Sequence, residues 1–295
     1  MRRAATGGRA PHAEARAGGA AMTRAHPVLP FSSLLRAVSD LLAPRECVLC
    51  GRAGAWLCAA CGSRIPLLIP ACPVCRKETA GGRAHASCAA HLSLDGCLAA
   101  ASLSLAPIER LIYGCKYHGL RSAAAALAHL IARAAGASPA FTAWMRTNHP
   151  VLSPLPLHPQ RERARGYNQA SLIARALARE LMLPCRTLLT RIKPTADQVK
   201  LTREARRNNL DGAFSLARGI VEIPPAVILV DDVVTTGATF DAAARILRNA
   251  RTDMSIWGVA AAYHAHTEGE APAPSKIPRW RDSMGLARHA VSVAV

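Results

Sequence analysis

From Phe31 the apolar residues Phe31, Leu34, Leu35, Val38, Leu41 and Leu42 recur at helical spacing until Pro44 ends the run, which predicts one short amphipathic helix. No such rhythm precedes it. Residues 1 to 26, low-complexity Ala, Gly and Arg, cannot bury enough surface to offset the entropy of ordering, and the extension over 1–30 is expected to be disordered. After Gly96 the pattern alternates between short apolar runs and longer helical stretches. Strands are predicted at Cys97 to Leu103, Val151 to Leu155, Ala226 to Val230 and Ser255 to Ala262. Helices are predicted at Ser122 to Ala134, Asn168 to Met182 and Thr239 to Ala250. Strands alternating with helices build an open parallel sheet covered on its faces, so the expected class is α/β. The organisation read from this pattern is an extension over 1–30, a helix over 31–45, a cysteine-rich unit over 46–95, an α/β domain over 96–265 and a mobile tail over 266–295.

Composition changes this picture in two places. A formal net charge of +18 implies attraction to polyanions, of which nucleic acid is the commonest, although many of the arginines fall in the low-complexity head. No charge-free apolar run reaches the roughly 18 residues needed to cross a bilayer, and no export signal is visible, so a cytoplasmic protein without a membrane span is expected.

Between Cys47 and His91 the chain is dense in Cys, Gly and Pro, and seven of its ten cysteines lie there. Six form Cys-x-x-Cys pairs: Cys47 with Cys50, Cys58 with Cys61, and Cys72 with Cys75. Cys88 and His91 keep the same gap. Two ligands three apart on a tight turn aim at one point, and two turns complete the tetrahedron that zinc prefers. Up to two structural zinc ions are therefore expected, with Cys47, Cys50, Cys58 and Cys61 at one and Cys72, Cys75, Cys88 and His91 at the other. A crossed division of the pairs is the alternative. Disulfides would need an oxidising compartment. Cys97, Cys115 and Cys185 sit in apolar surroundings and read as small buried side chains.

The most specific string is Val227-Ile-Leu-Val-Asp-Asp-Val-Val-Thr-Thr-Gly-Ala-Thr239. A buried strand would deliver Asp231 and Asp232 to its C-terminal end, where ligands bind in open α/β sheets. The loop that follows, Val233, Val234, Thr235, Thr236, Gly237, Ala238 and Thr239, offers backbone N–H groups and hydroxyls at a helix N-terminus, a ready site for a dianionic phosphate. Gly237 lets the backbone approach, and the two aspartates are placed for ribose hydroxyls. Arg161, Arg163 and Arg165 follow the strand ending at Leu155 and can face the same pocket mouth. Arg163 is equally read as part of a solvated basic turn. Asn168 and Gln169 either cap the next helix or touch ligand. The cluster Arg203, Arg206 and Arg207 reads as a mobile lid or as a plain surface turn.

This string resembles the phosphoribosyl pyrophosphate motif of type I phosphoribosyltransferases. Combined with an N-terminal double zinc ribbon, the chain resembles the ComF family of competence-associated proteins. Ile112-Tyr-Gly-Cys-Lys-Tyr-His-Gly119 is similar to that family's Lys-Tyr-x-Gly element, Pro156-Leu-His-Pro-x-Arg161 with Arg165-Gly-Tyr-Asn-Gln169 to its pyrophosphate-side loop, and Gln198 to Phe214 to its flexible loop. The resemblance covers roughly residues 31 to 263, and His91 departs from a family array that usually closes on another Cys-x-x-Cys. It implies a type I phosphoribosyltransferase fold that binds phosphoribosyl pyrophosphate with Mg²⁺, contacted also by Lys116, His158, Arg161 and Arg165. Asp231 and Asp232 would stabilise an oxocarbenium-like ribose during phosphoribosyl transfer. The alternative of another class is a non-catalytic accessory protein for single-stranded DNA that keeps the domain as a sensor or relic, linked to the competence machinery.

Overall fold

A computed structural model describes residues 44–193, 210 and 212–265. The helix expected over 31–45, the Arg203–Arg207 cluster and the tail after 265 lie outside the described residues. The described residues from Arg45 on form one compact unit.

Four parallel strands make the central sheet in the order β1-β6-β5-β2: β1 Gly96–Ser102, β2 Val151–Pro154, β5 Ala226–Val234 and β6 Ser255–Tyr263. A separate antiparallel pair, β3 Leu189–Arg191 and β4 Phe214–Leu216, lies between β2 and β5 in sequence. This is the open parallel α/β sheet expected, and each predicted sheet strand is present. The helices are α1 Ala59–Arg64, α2 Ala86–Ala89, α3 Ala106–Tyr117, α4 Ala123–Gly136, α5 Pro139–Asn148, α6 Pro159–Arg165, α7 Gln169–Leu181 and α8 Ala238–Ala250.

Successive strand residues point to opposite faces, and the sheet buries both. On one face Leu98, Ile228, Val230, Trp257 and Val259 pack against Ile108 and Leu111 of α3, Leu127 and Ile131 of α4, Phe141 of α5, and Ile173 and Leu177 of α7. On the other, Val227, Leu229, Ile256 and Ala260 meet Phe240, Ala243 and Leu247 of α8 together with Leu94, Leu189 and Phe214. Alanine fills much of the remaining volume, which lets helices sit close to the sheet with few aromatics.

The helices α3 and α5 and the β3–β4 pair are not among the predicted elements, and two further elements depart from the sequence reading. Strand β5 runs four residues past Val230, through both aspartates to Val234, because β6 continues beside it, pairing Asp231 with Ala260 and Val234 with Tyr263. The stretch after Pro156, expected as a loop, contains α6. Its N-terminus is capped by His158, whose Nδ1 accepts from the Gln160 N–H at 3.4 Å, and it ends at Gly166 in the left-handed conformation (φ 80°).

The cysteine-rich segment packs directly on the sheet. A Cβ on Gly82 would stand 2.2 Å from the Cys97 carbonyl oxygen, and one on Gly96 would stand 2.5 Å from the Trp257 ring. Those two glycines permit the approach. Asp95 then clamps it: its carboxylate accepts from Ser255 Oγ at 2.6 Å and the Ile256 N–H at 2.8 Å, and pairs with Arg248 of α8 at 2.6 Å. Arg248 Nε also donates to the Ser93 carbonyl at 2.6 Å. Asp95→Ala strands these donors, and a loss of about 2–4 kcal/mol of stability in urea denaturation is expected, with Asp95→Asn falling between. Equal stability of the alanine variant would show that the clamp contributes nothing.

Candidate functional site

The parallel sheet brings the C-terminal ends of all four strands to one side, where Lys116, Arg165, Gln169 and the aspartates of β5 come together. Strand β2 ends at Pro154, opposite Val230. From Asp231 on, β5 is therefore paired by β6 alone, and the region beside its unpaired edge is the candidate ligand cleft. Lys116, on the last turn of α3, reaches into this cleft.

Lys116 Nζ lies 2.5 Å from Asp232 Oδ2, with the aspartate side chain 5% exposed. The other oxygen of Asp232 accepts from Gln169 Nε2 at 3.4 Å, and Arg165 Nη1 donates to Gln169 Oε1. A chain of polar groups thus runs Lys116, Asp232, Gln169, Arg165. Burial opposes the charge on Asp232, but the ammonium of Lys116 outweighs it and holds the carboxyl below its usual range. Burial likewise opposes the charge on Lys116, and Asp232 reverses the balance, raising its pKa.

Asp231 points to the opposite face, as strand alternation requires. Its Oδ1 accepts from the Asp232 N–H at 2.8 Å. Burial first and the negative charge of Asp232 second push its carboxyl well above the usual range. The two adjacent acids are therefore unequal: Asp232 has its own cation, whereas Asp231 resists ionising.

Val233 and Val234 complete the strand, and the turn Thr235-Thr236-Gly237 opens α8. Gly237 is left-handed (φ 81°), and a Cβ there would meet nothing within 4 Å, so the backbone faces open space. No side chain caps α8; the Ala238 N–H reaches only Thr236 Oγ1 at 3.3 Å, and the following amides, with Thr239, point out of the helix end. Asp241, the acid of the first turn, is drawn aside by the Ser93 N–H at 2.6 Å. An uncapped helix start of this kind favours an anion.

Of the basic residues, Arg165 stands beside the cleft, its guanidinium 5.5 Å from the Tyr117 ring centre. Arg161 is exposed on α6, and its charge, after burial, helps to lower the pKa of Arg191. His158 acts as a helix cap. Asn168 caps α7 through its Oδ1, which accepts from the Ala170 N–H at 3.0 Å. Gln169 was predictable only as a cap or a ligand contact; its bond to Asp232 depends on how α7 crosses the sheet. Arg76 also enters this region, donating to the Thr235 carbonyl at 2.6 Å. Nothing in its local sequence marks it.

Two further groups could hold zinc ions. Cys47, Cys50, Cys58 and Cys61 form one, in the sequential division expected; in each group all ligand atoms lie within 4.8 Å of one another. The second consists of Cys72, Cys75, His85 and Cys88. His85, the residue preceding α2, takes the place expected for His91, which lies outside the group. Cys50 Sγ to Cys58 Sγ is 3.7 Å, and Cys75 Sγ to His85 Nδ1 is 3.3 Å. Tetrahedral zinc would set these edges at about 3.8 and about 3.6 Å, so the donor sets fit. Burial works against thiolates at Cys47 and Cys72, yet backbone N–H groups, of Cys58, Cys50 and Leu49 for the first and Cys75, His85 and Val74 for the second, bring each down to about 6. Cys97 and Cys115 are buried outside both groups, where burial raises each thiol to about 12. Cys185 is half-buried.

No protein-family model matches the chain. Several curated proteins do. Competence protein F of Haemophilus influenzae is 41% identical over 115 residues, covering 38% of this chain and 50% of that protein. The DNA utilization protein YhgH of Salmonella typhi is 31% identical over 156 residues, 51% of this chain and 66% of that protein. Competence protein ComFC of Bacillus subtilis is 38% identical over 101 residues, 34% of this chain and 38% of that protein. The matched segment thus spans about half the length of the first of these relatives. With the open parallel sheet, the acid pair and its loop, and the cysteine array all in place, the chain belongs to the ComF family.

Proposed function

We propose that the cleft binds phosphoribosyl pyrophosphate as its Mg²⁺ complex and that the protein serves DNA uptake, the role that the names of its relatives carry. The observation that carries the ligand assignment is the uncapped start of α8, with open space at Gly237, next to two adjacent aspartates of which Asp232 is paired with Lys116.

In this reading the 5-phosphate sits on the amides of residues 236 to 239, where it satisfies the orphan donors and meets the positive end of the helix dipole. Asp231 and Asp232 flank the ribose, and Asp231 accepts from its hydroxyls. Lys116 and Arg165 lie on the pyrophosphate side, joined by Arg161 and His158 from α6. Asp232 does double duty, since it holds Lys116 in place while lending charge to the sugar. The resistance of Asp231 to ionising favours a ligand that brings its own cation, and Mg²⁺ on the pyrophosphate supplies one. When pyrophosphate departs, positive charge develops at the anomeric carbon and the neighbouring carboxylates stabilise it electrostatically. The two cysteine-rich groups hold structural zinc, with four protein ligands each and no open position for water.

A second reading rests on Tyr117. Its ring is 65% exposed, 5.4 Å from that of Tyr113, with Arg165 over it. Such a platform suits stacking of a base, whether of an acceptor or of single-stranded DNA. In an accessory role the cleft would sense the phosphoribosyl ligand, and DNA would bind with steep salt dependence.

Saturating phosphoribosyl pyrophosphate with Mg²⁺, at about 100 times its Kd, should raise the melting temperature by about 5–10 °C. Asp231→Asn with Asp232→Asn should abolish the rise, and a rise that survives both changes places the ligand elsewhere. Pyrophosphate release with any base or nucleoside would identify a transferase; release with none, together with salt-sensitive single-strand binding, would favour the accessory role. Elemental analysis should find about two zinc ions per chain. His85→Ala should lose one and His91→Ala should lose none, and the opposite pattern would return the fourth ligand to His91.

A further inference from the structure

The first turns of the two knuckles of the cysteine-rich segment are built alike, and one difference between them points at the cleft. In the first, Cys47 accepts through its carbonyl from the Gly51 N–H at 2.9 Å, and its own N–H donates to the Arg52 carbonyl at 2.9 Å. In the second, the Cys72 carbonyl accepts from the Arg76 N–H at 3.0 Å, and the Cys72 N–H donates to the Lys77 carbonyl at 2.8 Å. Gly51 and Arg76 thus occupy the same turn position, and both are left-handed, with φ of 71° and 62°. Glycine adopts this conformation freely, whereas a residue with a Cβ does so at a cost. A strained non-glycine residue that persists where its twin is glycine calls for a reason beyond the turn.

The side chain supplies one. It leaves the knuckle and crosses to the ends of β5 and β6, where Arg76 Nη2 donates to the Thr235 carbonyl at 2.6 Å and the guanidinium lies 4.7 Å from the centre of the Tyr263 ring. Thr235 is the residue between the strand and the anion-binding turn, so fixing its carbonyl fixes the peptide from which the amides of 236 to 239 fan out. Ser93, further along the same segment, draws Asp241 away from that helix end at 2.6 Å. The cysteine-rich segment therefore acts on the turn from two sides.

We propose that Arg76 is a positioning residue for the phosphate-binding turn, through which the Cys72, Cys75, His85 and Cys88 knuckle sets the affinity of the cleft for a phosphoribosyl ligand. This rests on the ligand reading given above. Arg76 need not touch the ligand; it holds the turn ready, so that ordering is not left to be done on binding.

Arg76→Gly separates this role from a merely structural one, because it removes the side chain and relieves the turn at once. Isothermal titration of the zinc-loaded full chain with phosphoribosyl pyrophosphate and Mg²⁺ should show Kd raised about tenfold, as loss of one charge-assisted hydrogen bond implies. Zinc content and melting temperature should hold or rise, and Arg76→Lys, which keeps a cationic donor, should recover most of the affinity. A glycine variant that binds as tightly as the parent overturns the proposal, as does one that loses zinc or unfolds, since Arg76 would then serve the knuckle alone. Absence of binding by the parent itself would instead bring down the assignment of the ligand.

Discussion

Strand β2 stops at Pro154 while its neighbour β5 continues to Val234, and the cleft exists because of that mismatch. The last contact is made by the Leu155 N–H, which donates to the Val230 carbonyl at 2.9 Å, and the chain then leaves the sheet toward α6. The last residues of β5 are thus held by β6 on one edge and free on the other. A strand paired on both sides would have buried its two acids against a neighbour; a strand ending at Val230 would have left them on a loose turn. Held on one side, they stand at the end of the strand, buried yet beside Lys116 and Gln169 rather than beside another strand. The cost of two adjacent carboxyls there is limited by Lys116, which lies 2.5 Å from Asp232. Removing either partner from such a pair leaves a buried charge uncompensated, so α3, α7 and β5 are locked in mutual register.

The cysteine-rich segment is tied into the same arrangement. Asp95 joins it to β6 and α8, Gly82 and Gly96 let it lie against β1, and Arg76 brings it to the turn that begins α8. Zinc in these groups would accordingly do more than fold an appendage: the segment has little apolar core of its own, and what order it gains is passed on to the cleft.

Much of this was legible in the sequence. The run Val227 to Val230 could only be a buried strand, the small residues after it marked the turn into α8, and the cysteine pairs announced groups that could hold a metal. The failures have physical causes. His91 kept the two-residue gap of the other pairs, but spacing says nothing of which way a short helix turns, and His85 reaches the knuckle from before α2. The end of β5 was misjudged because two adjacent aspartates read as a boundary, whereas pairing with β6 overrides their poor strand propensity. Helix α6 was missed since its Pro-Gln-Arg-Glu-Arg sequence has no apolar face, and the cap at His158 with Gly166 defines it instead. Gln169 and Arg76 act across long separations, at which no local pattern can point.

The account stands on a sugar phosphate held by the start of α8. A crystal structure with ribose 5-phosphate bound tests this most directly. The phosphate oxygens are predicted within about 3 Å of the backbone nitrogens of residues 236 to 239, at ordinary hydrogen-bond distance, with the ribose hydroxyls turned toward Asp231. A ligand seated at another part of the surface, with that turn closed on itself, would contradict it.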